Sequence, residues 1–442
     1  MAQLVPSKTA DPGVVEQIDI ISNSDPSKTV SLVNGLISFS YTESIMSDTI
    51  KATVSFADSG ASIEEKTVTE GLPLVGQEKV IIKFSDNSEN TIGDTPQLVM
   101  YVNKITNIVD QSQKSIVNLE LVSKECILNE KIRVNQRFDG KVSDHIRQIL
   151  TDSKYLRTQK PVTIEDSANE YSFFGNNKKS FYTITWLAKK AVSAENQKLG
   201  ESAGYLFYET YDGYFFKSVD GLLSQEPKLK LIYNETPDTS GNIPEGYDQK
   251  ILDLKKNSNV NVQEQLRMGA YTNRIVMFDP FTCFYEVKAP TTDTTEGASK
   301  LGGKKLFLSE ENRNKEFDIQ GANEEFSRTQ YFLLDTGTTQ EIEKSTEENF
   351  EYGTIANQSM MRYNQLYSMR ARITIAGNFT LRAGDAIYID SPGLENDKTE
   401  DVDHKDGGLY IITDICHQLT SQGTYTQCNL ARDSFGRKPK KR

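Results

Sequence analysis

Residues Ser368 to Asp390 read SMRARITIAGNFTLRAGDAIYID, and the fold turns on how this run is divided. Apolar and polar residues alternate from Ser368 to Ala376, the period-two pattern of a strand with one buried face. Thr380 to Ala383 then leads through Gly384 into a second apolar run, Ala386 to Asp390. Ile373, Ile375, Leu381, Ile387 and Ile389 are the expected core of a small C-terminal barrel, with Gly377 and Gly384 permitting its tight turns. The face each strand presents to a partner stays unassigned, because one residue of register slip reverses every side chain.

Outward from this run, Gly408 to Leu419 and Thr424 to Ala431 form a long hairpin across Thr420-Ser421-Gln422-Gly423. The start of the chain repeats the order. Val80 to Phe84 is followed by a loop, then Leu98 to Val109 turns at Gln111-Ser112-Gln113 into Ser115 to Leu121. The later counterparts are Ala386 to Asp390, Leu409 to Leu419 and Thr424 to Leu430, with Tyr101-Val102 set against Tyr410-Ile411. Further early strands are Gln17 to Ser22, Val30 to Thr42 and Ser47 to Phe56, so the first segment reads as a small barrel or sandwich.

Between the two β regions lie helical patterns. Val142, Ile146, Ile149 and Leu150 form a stripe on a helix from Ser143 to about Leu156. A second helix is expected over 180–198, with Ser180 as N-cap and Phe181, Ile184, Ala188 and Ala191 on one face beside the lone tryptophan, Trp186. A hairpin over 205–218 follows, its turn placed at Asp212-Gly213 as type I′. Gln225 to Gln249 reads as a connection with one short strand, Lys228 to Tyr233. Strand-like sequence returns at Lys250 to Leu254, Arg274 to Phe278 and Thr282 to Lys288. Ala289 to Gly303 reads as a loop, Ser309 to Tyr352 as a solvated acidic run, and Ile355 to Leu366 as a helix.

With 442 residues and 37% hydrophobic content the chain can build two to four cored domains. Its formal charge of −12 argues against a nucleic-acid-binding surface, which needs clustered Lys and Arg. The one basic run, Arg437 to Arg442, reads as a solvated tail. No signal pattern and no run of membrane-spanning length occurs, so folding in a cytoplasm is expected. Four scattered cysteines do not form a disulfide framework.

The run Ile375 to Asp385, followed by Ala386 to Asp390, resembles the Gly-Asn-x-x-Leu-x-x-Gly segment that begins a barrel in baseplate hub proteins of contractile-tail phages. The T-even phage hub is the nearest type, and the hub part of type VI secretion spike proteins is a more distant one. The residues that carry the resemblance are Gly377, Asn378, Leu381, Gly384 and Asp385. The helix near residue 180 and the strand Gly204-Tyr205-Leu206-Phe207-Tyr208 are similar to that family's middle α/β piece, whereas Ser309 to Tyr352 matches nothing in it. The resemblance implies an α+β, β-rich chain with two similar small antiparallel β-barrels of tube type. They would occupy 1–125 and, discontinuously, 245–288 plus 366–435. A helix and hairpin domain at 126–244 lies between them, with an acidic insertion at 289–365 and a basic tail at 436–442.

It further implies a homotrimeric hub in the virion's tail baseplate, assembled in the host cytoplasm, in which three chains make a ring of six quasi-equivalent barrels. Such a hub meets a six-fold tail tube or tube-initiator protein, a three-fold spike and the baseplate wedge proteins, and DNA passes its bore without specific binding.

No enzyme constellation stands out. His145, His404 and His417 sit in no recognisable nucleophile, zinc or kinase motif, and Cys416 and His417 are adjacent strand residues that point to opposite faces. Asp401, Asp403 and Asp406 depart from EF-hand spacing. No catalytic, cofactor or metal residue is therefore assigned, and no interface residue is named. A tail-associated cell-wall or polysaccharide-degrading enzyme is the alternative class; it predicts a deep cleft with paired carboxylates.

Overall fold

Alternating β-branched, aromatic and short polar residues form β1 (Val14–Ile21), β2 (Thr29–Ser31), β3 (Leu36–Ser44), β4 (Lys51–Asp58), β5 (Lys79–Ser85), β6 (Leu98–Gln111) and β7 (Lys114–Val122) in a computed structural model. The structure describes residues 5–6, 9–58, 66–111, 114–195, 203–233, 242–243, 246–257, 261–280, 283–288, 298–303, 306–308, 314–317, 326–333, 352–391 and 407–436. Most of the loop read at 289–303, most of the acidic run, the aspartates around His404 and the basic tail past 436 lie outside them. These first strands pair in the order β3-β4-β7-β6-β5-β1-β2 and enclose Ile18, Phe39, Val54, Phe84, Met100 and Leu119. The single strand expected over Val30 to Thr42 is two, because Val33–Gly35 forms a 3-10 turn between β2 and β3.

The middle domain holds α1 (Lys124–Lys131), α2 (Val142–Thr151), β8 (Val162–Ile164), α3 (Ser180–Ala188), β9 (Tyr205–Thr210) and β10 (Gly213–Ser218). The α2 stripe packs with Phe181, Ile184 and Leu187 against the hairpin. Three local expectations are corrected. First, α3 stops at Ala188 rather than near 198, since Lys190 turns inward to the Tyr171 hydroxyl with its ammonium 3.5 Å from the Trp186 ring centroid. Second, Lys179 takes the N-cap position of α3, not Ser180; the Phe181 amide instead donates to Asn129 Oδ1 of α1 at 2.8 Å. Third, Thr210 pairs with Gly213, so the turn residues are Tyr211 and Asp212, and only Gly213 has positive φ (+125°). A type I′ turn needs positive φ at both central residues, and here neither has it.

The second half comprises β11 (Leu229–Ile232), β12 (Gln249–Asn257), β13 (Asn273–Asp279), β14 (Phe284–Lys288), β15 (Arg328–Leu333), α4 (Tyr352–Leu366), β16 (Met369–Ala376), β17 (Ala386–Asp390), β18 (Gly408–Thr420) and β19 (Gly423–Arg432). Strands β17-β11-β12-β16-β19-β18 close on themselves as a six-stranded barrel. Ile373, Ile375, Leu381, Ile387 and Ile389 all lie in its core.

Its bounds differ from the expected ones. β11, from a run read as a connection, is a barrel strand and runs parallel to both neighbours, so the barrel is not wholly antiparallel. β13 and β14, read as barrel strands, pair instead with β15 in a separate sheet, where Ile275 and Met277 pack under Ala356 of α4. Helix α4 is a strut rather than part of an insertion. Ser359 Oγ donates to Lys189 O (2.8 Å), Tyr363 Oη donates to Tyr205 O (2.5 Å), and buried Arg362 pairs with Asp220 at 2.6 Å.

The repeat seen in the sequence is a repeat of ladder register. β3, β4, β5, β6 and β7 correspond in order and direction to β12, β16, β17, β18 and β19. Leu121 faces Ala52 and Val102 in the first half as Leu430 faces Ala371 and Ile412 in the second. Bulges recur too, at Val102/Lys104 and Ile412/Asp414, and at Leu36/Ser38 and Ile251/Asp253. Thus Tyr101 matches Ile411, one residue beyond the expected Tyr410.

Candidate assembly surfaces

The five residues Gly377, Asn378, Leu381, Gly384 and Asp385 lie on the segment that joins the two halves to each other and to the middle domain. The Asn378 amide donates to Thr426 Oγ1 (2.9 Å), while its Oδ1 accepts from Thr380 Oγ1 (2.7 Å) and closes the turn. Between them Phe379 enters the core of the first half, edge-on to Phe84, and its amide donates to Asp86 Oδ2 (3.0 Å). Leu381 is buried in the core of the second half. Asp385 Oδ2 accepts from the Arg382 amide and from Lys228 Nζ, both at 2.8 Å. Gly384 takes φ +88°, and a Cβ there would stand 2.5 Å from Tyr208 Oη of the middle domain. Gly377 has no such backbone; a Cβ there would meet Thr424 Cγ2 at 2.5 Å, so it is needed for close approach rather than for a turn.

Beside this segment β18 leaves its own barrel and pairs with β3, from Asp414↔Ser44 to Thr420↔Ser38, so one sheet runs through both halves. Phe39 and Tyr41 are fully buried at this joint, and Tyr41 stacks on His417. Glu43, also buried, accepts from the Tyr41 hydroxyl (2.9 Å) and from the amides of Tyr211 (2.8 Å) and Ala383 (3.0 Å). Burial raises its carboxyl to about 7 against the opposing pull of Arg382. His417, with Nδ1 3.0 Å from Thr426 Oγ1, is pushed down to about 3, chiefly by burial and then by Arg382, so it is neutral. Deeper in, Lys160 joins Glu209 and Glu125. All of these groups are bonded within the wall between the domains.

The continuous sheet covers both cores with one face, and among the described residues the other is half-exposed or exposed. That second face carries Ser40, Thr42, Ser55, Asn118, Gln427 and Asn429, with an open cleft of about 460 Å³ across the joint. Its side chains bond one another: Ser55 to Asn118 (3.0 Å), Arg372 to Gln427 (2.7 Å), Asn429 to Asp414 (3.2 Å) and Lys104 to Glu120 (3.1 Å). Charges of both signs stand there, so the acidity of the chain is not concentrated on it. Among the described residues a second exposed face, on the β13–β15 sheet, lines up Phe278 with Tyr285 and Leu333, and Val276 with Val287 and Tyr331.

Among the described residues no cluster of three or more His, Cys, Asp or Glu is placed to hold a metal, and no helix is long and apolar enough to cross a membrane. His145 is buried with Nε2 3.0 Å from Tyr171 O, a packing role. Cys428 is buried opposite Ile415, which leaves Cys416 on the other face of the hairpin. No sequence signal named the joint residues Phe379, Glu43 and His417, because their roles depend on contacts hundreds of positions away.

No family model matches this chain, and no curated protein does. Among solved structures it is similar to the tail protein from Neisseria meningitidis MC58, with a TM-score of 0.53 and 8% identity over 94% of this chain and 96% of that one. A 43 kDa tail protein of prophage MuSo2 from Shewanella oneidensis is similar over 95% and 98% (TM-score 0.48, 9% identity). A type VI secretion component of E. coli, itself described as structurally similar to T4 bacteriophage tail proteins, follows over 92% and 76% (TM-score 0.43, 9% identity). The first similarity establishes the fold; at 8% identity it establishes nothing beyond it.

Proposed function

We propose that this chain is a structural protein of a contractile tail, the central hub of its baseplate. Three copies form a ring of six barrels that joins a six-fold tail tube to a three-fold spike and encloses a DNA channel. The observation that carries this reading is the duplication in register, with the two halves set side by side through β18 and β3. A chain built of two equivalent units can present six similar surfaces to one partner and three identical ones to another, which resolves a six-to-three mismatch.

On this reading the hydroxyl and amide face lines the bore. Four pairs of its side chains bond one another and its charges are of both signs, which weakens its hold on a passing polyanion. The chain then works in the virion and meets a spike, a tube or tube-initiator protein and wedge proteins. Its role is structural rather than enzymatic, and sustained release of soluble sugar from peptidoglycan by the purified protein would contradict that part. The test of the whole reading is light scattering behind size exclusion. A mass near three times 49.7 kDa is expected; a monomer at every concentration, alone and with the spike, would overturn it.

A further inference from the structure

Trp186, the only tryptophan of the chain, stands half-buried at a recess of the middle domain that the duplicated halves do not line. Tyr182 and Trp186 are one turn apart on α3, and Phe173 meets the Trp186 ring edge-on at 5.3 Å. With Phe174 they wall a space of about 140 Å³ whose rim carries Asn176 and Lys178. Phe174 and Tyr182 are 46% and 55% exposed, beside a core that buries Phe138, Phe181 and Tyr214. The recess is preformed. Asn176 and Asn177 take φ +44° and +54°, as both central residues of a type I′ turn must, and the Lys178 amide closes the turn on Gly175 O at 3.1 Å. A Cβ on Gly175 would stand 2.6 Å from Val134 Cγ1, so the turn lies tight against its neighbour. Both of its arms pair with one segment, Phe173–Phe174 with Arg137–Phe138 and Lys178–Lys179 with Arg133–Val134.

Size, wall and charge select the occupant. The volume admits one small ring and falls below the roughly 300 Å³ at which sites for drug-sized ligands begin. Aromatic walls suit a cation or a proline ring. A cation is disfavoured here. The Lys190 ammonium already lies 3.5 Å from the Trp186 ring centroid and that of Lys178 lies 5.6 Å from the Tyr182 centroid, so a third positive charge would meet both. Lys178 also has no carboxylate partner among the described residues, whereas its neighbour Lys179 pairs with Glu130. We propose that this recess docks a proline from an extended acidic segment of a partner protein, the ring seated against Tyr182 and Trp186 and an adjacent carboxylate on Lys178. Proline brings an extended backbone that is already ordered, and the tied turn loses little freedom, so docking costs little entropy on either side. The site is an anchor for one side chain inside a larger contact. It lies on the middle domain and does not depend on the ring reading.

The test reads Trp186 itself, since the chain has no other tryptophan. Its fluorescence is followed in the full chain as a blocked octapeptide of alternating proline and glutamate is added. Alanine–glutamate and proline–lysine octapeptides and a tetramer of N-acetylglucosamine are run in parallel. A saturable shift in emission is expected with the proline–glutamate peptide alone. Tyr182→Ala should raise its half-saturation about tenfold and Lys178→Gln about threefold. Both side chains are exposed, so both variants should melt as the parent does. Absence of a saturable shift with the proline–glutamate peptide, or an equal shift with alanine–glutamate, would overturn the proposal. A response to the sugar or to the proline–lysine peptide instead would overturn the choice of occupant. A shift that persists unchanged in Tyr182→Ala would overturn the site.

Discussion

The two halves share strand order, ladder register and bulge positions, yet one closes into a hydrogen-bonded barrel and, among the described residues, the other does not. In the second half β11 alone bridges β17 and β12, parallel to both. In the first, the β1–β2 hairpin follows β5, and among the described residues no ladder links β2 to β3. Core identities differ as well: Val54 stands where Ile373 does, Leu119 where Cys428 does, and Met100 where Tyr410 does. What is kept is the pattern of faces and the two bulges that set the bend of the sheet; what varies is the closing strand and the choice of apolar residue. Register, more than residue identity, makes the halves equivalent.

The most severe way to break the pairing of halves is at Phe379, a residue of the second half seated in the core of the first. Phe379→Ala should cost about 3–5 kcal/mol and make the first half melt before the second in calorimetry. One unsplit transition with a loss under about 1 kcal/mol would mean that the halves are not coupled there.

Protonation at the joint gives a subtler probe. Glu43, near 7 folded and 4.5 as a free carboxylate, adds stability at low pH that is lost as pH rises between those values. His417, near 3 folded and 6.5 free, adds stability above 6.5 that is lost as pH falls toward 3. The two slopes oppose each other between 4.5 and 6.5 and nearly cancel. Glu43→Gln should leave the histidine slope exposed, so that stability falls on the order of 3 kcal/mol from neutral pH to 4.5 in denaturant titrations. A pH-independent variant would contradict the assignment.

The glycines of the joining segment separate two kinds of constraint. Gly384→Ala should cost about 2 kcal/mol from its positive φ and its approach to Tyr208, with part recovered in a Tyr208→Phe background. Gly377→Ala should instead be relieved by Thr424→Ser, since its conflict is steric alone. The smallest effect is on the exposed face. There Lys104–Glu120 occupies the place of Asp414 and Asn429 in the other half, and Glu120→Gln should change stability by less than about 0.5 kcal/mol in thermal melts.

Much of this was legible in the sequence where the chain is locally periodic. The three-strand echo, the buried isoleucines of β16 and β17 and the α2 stripe all follow from residue spacing. Alternation identifies a strand but not its sheet, so β13 and β14 read equally well as barrel strands. β11 is too short, and too embedded in polar connection, to stand out from its own composition. Tyr101 and Tyr410 stand one residue apart in the ladders, because the bulges at Asn103 and Thr413, not the tyrosines, set the correspondence. The joint itself was invisible for a different reason: Glu43, Phe379 and His417 acquire their surroundings from segments far apart in the chain.

The most direct measurement of the central claim is the rotational symmetry of the assembled particle, seen in electron-microscope class averages down its axis. Six evenly spaced lobes around an open bore, contributed by three chains, are the predicted result. A particle with a two-fold axis, or three lobes whose halves do not alternate around a closed ring, would contradict the equivalence of the two halves in assembly.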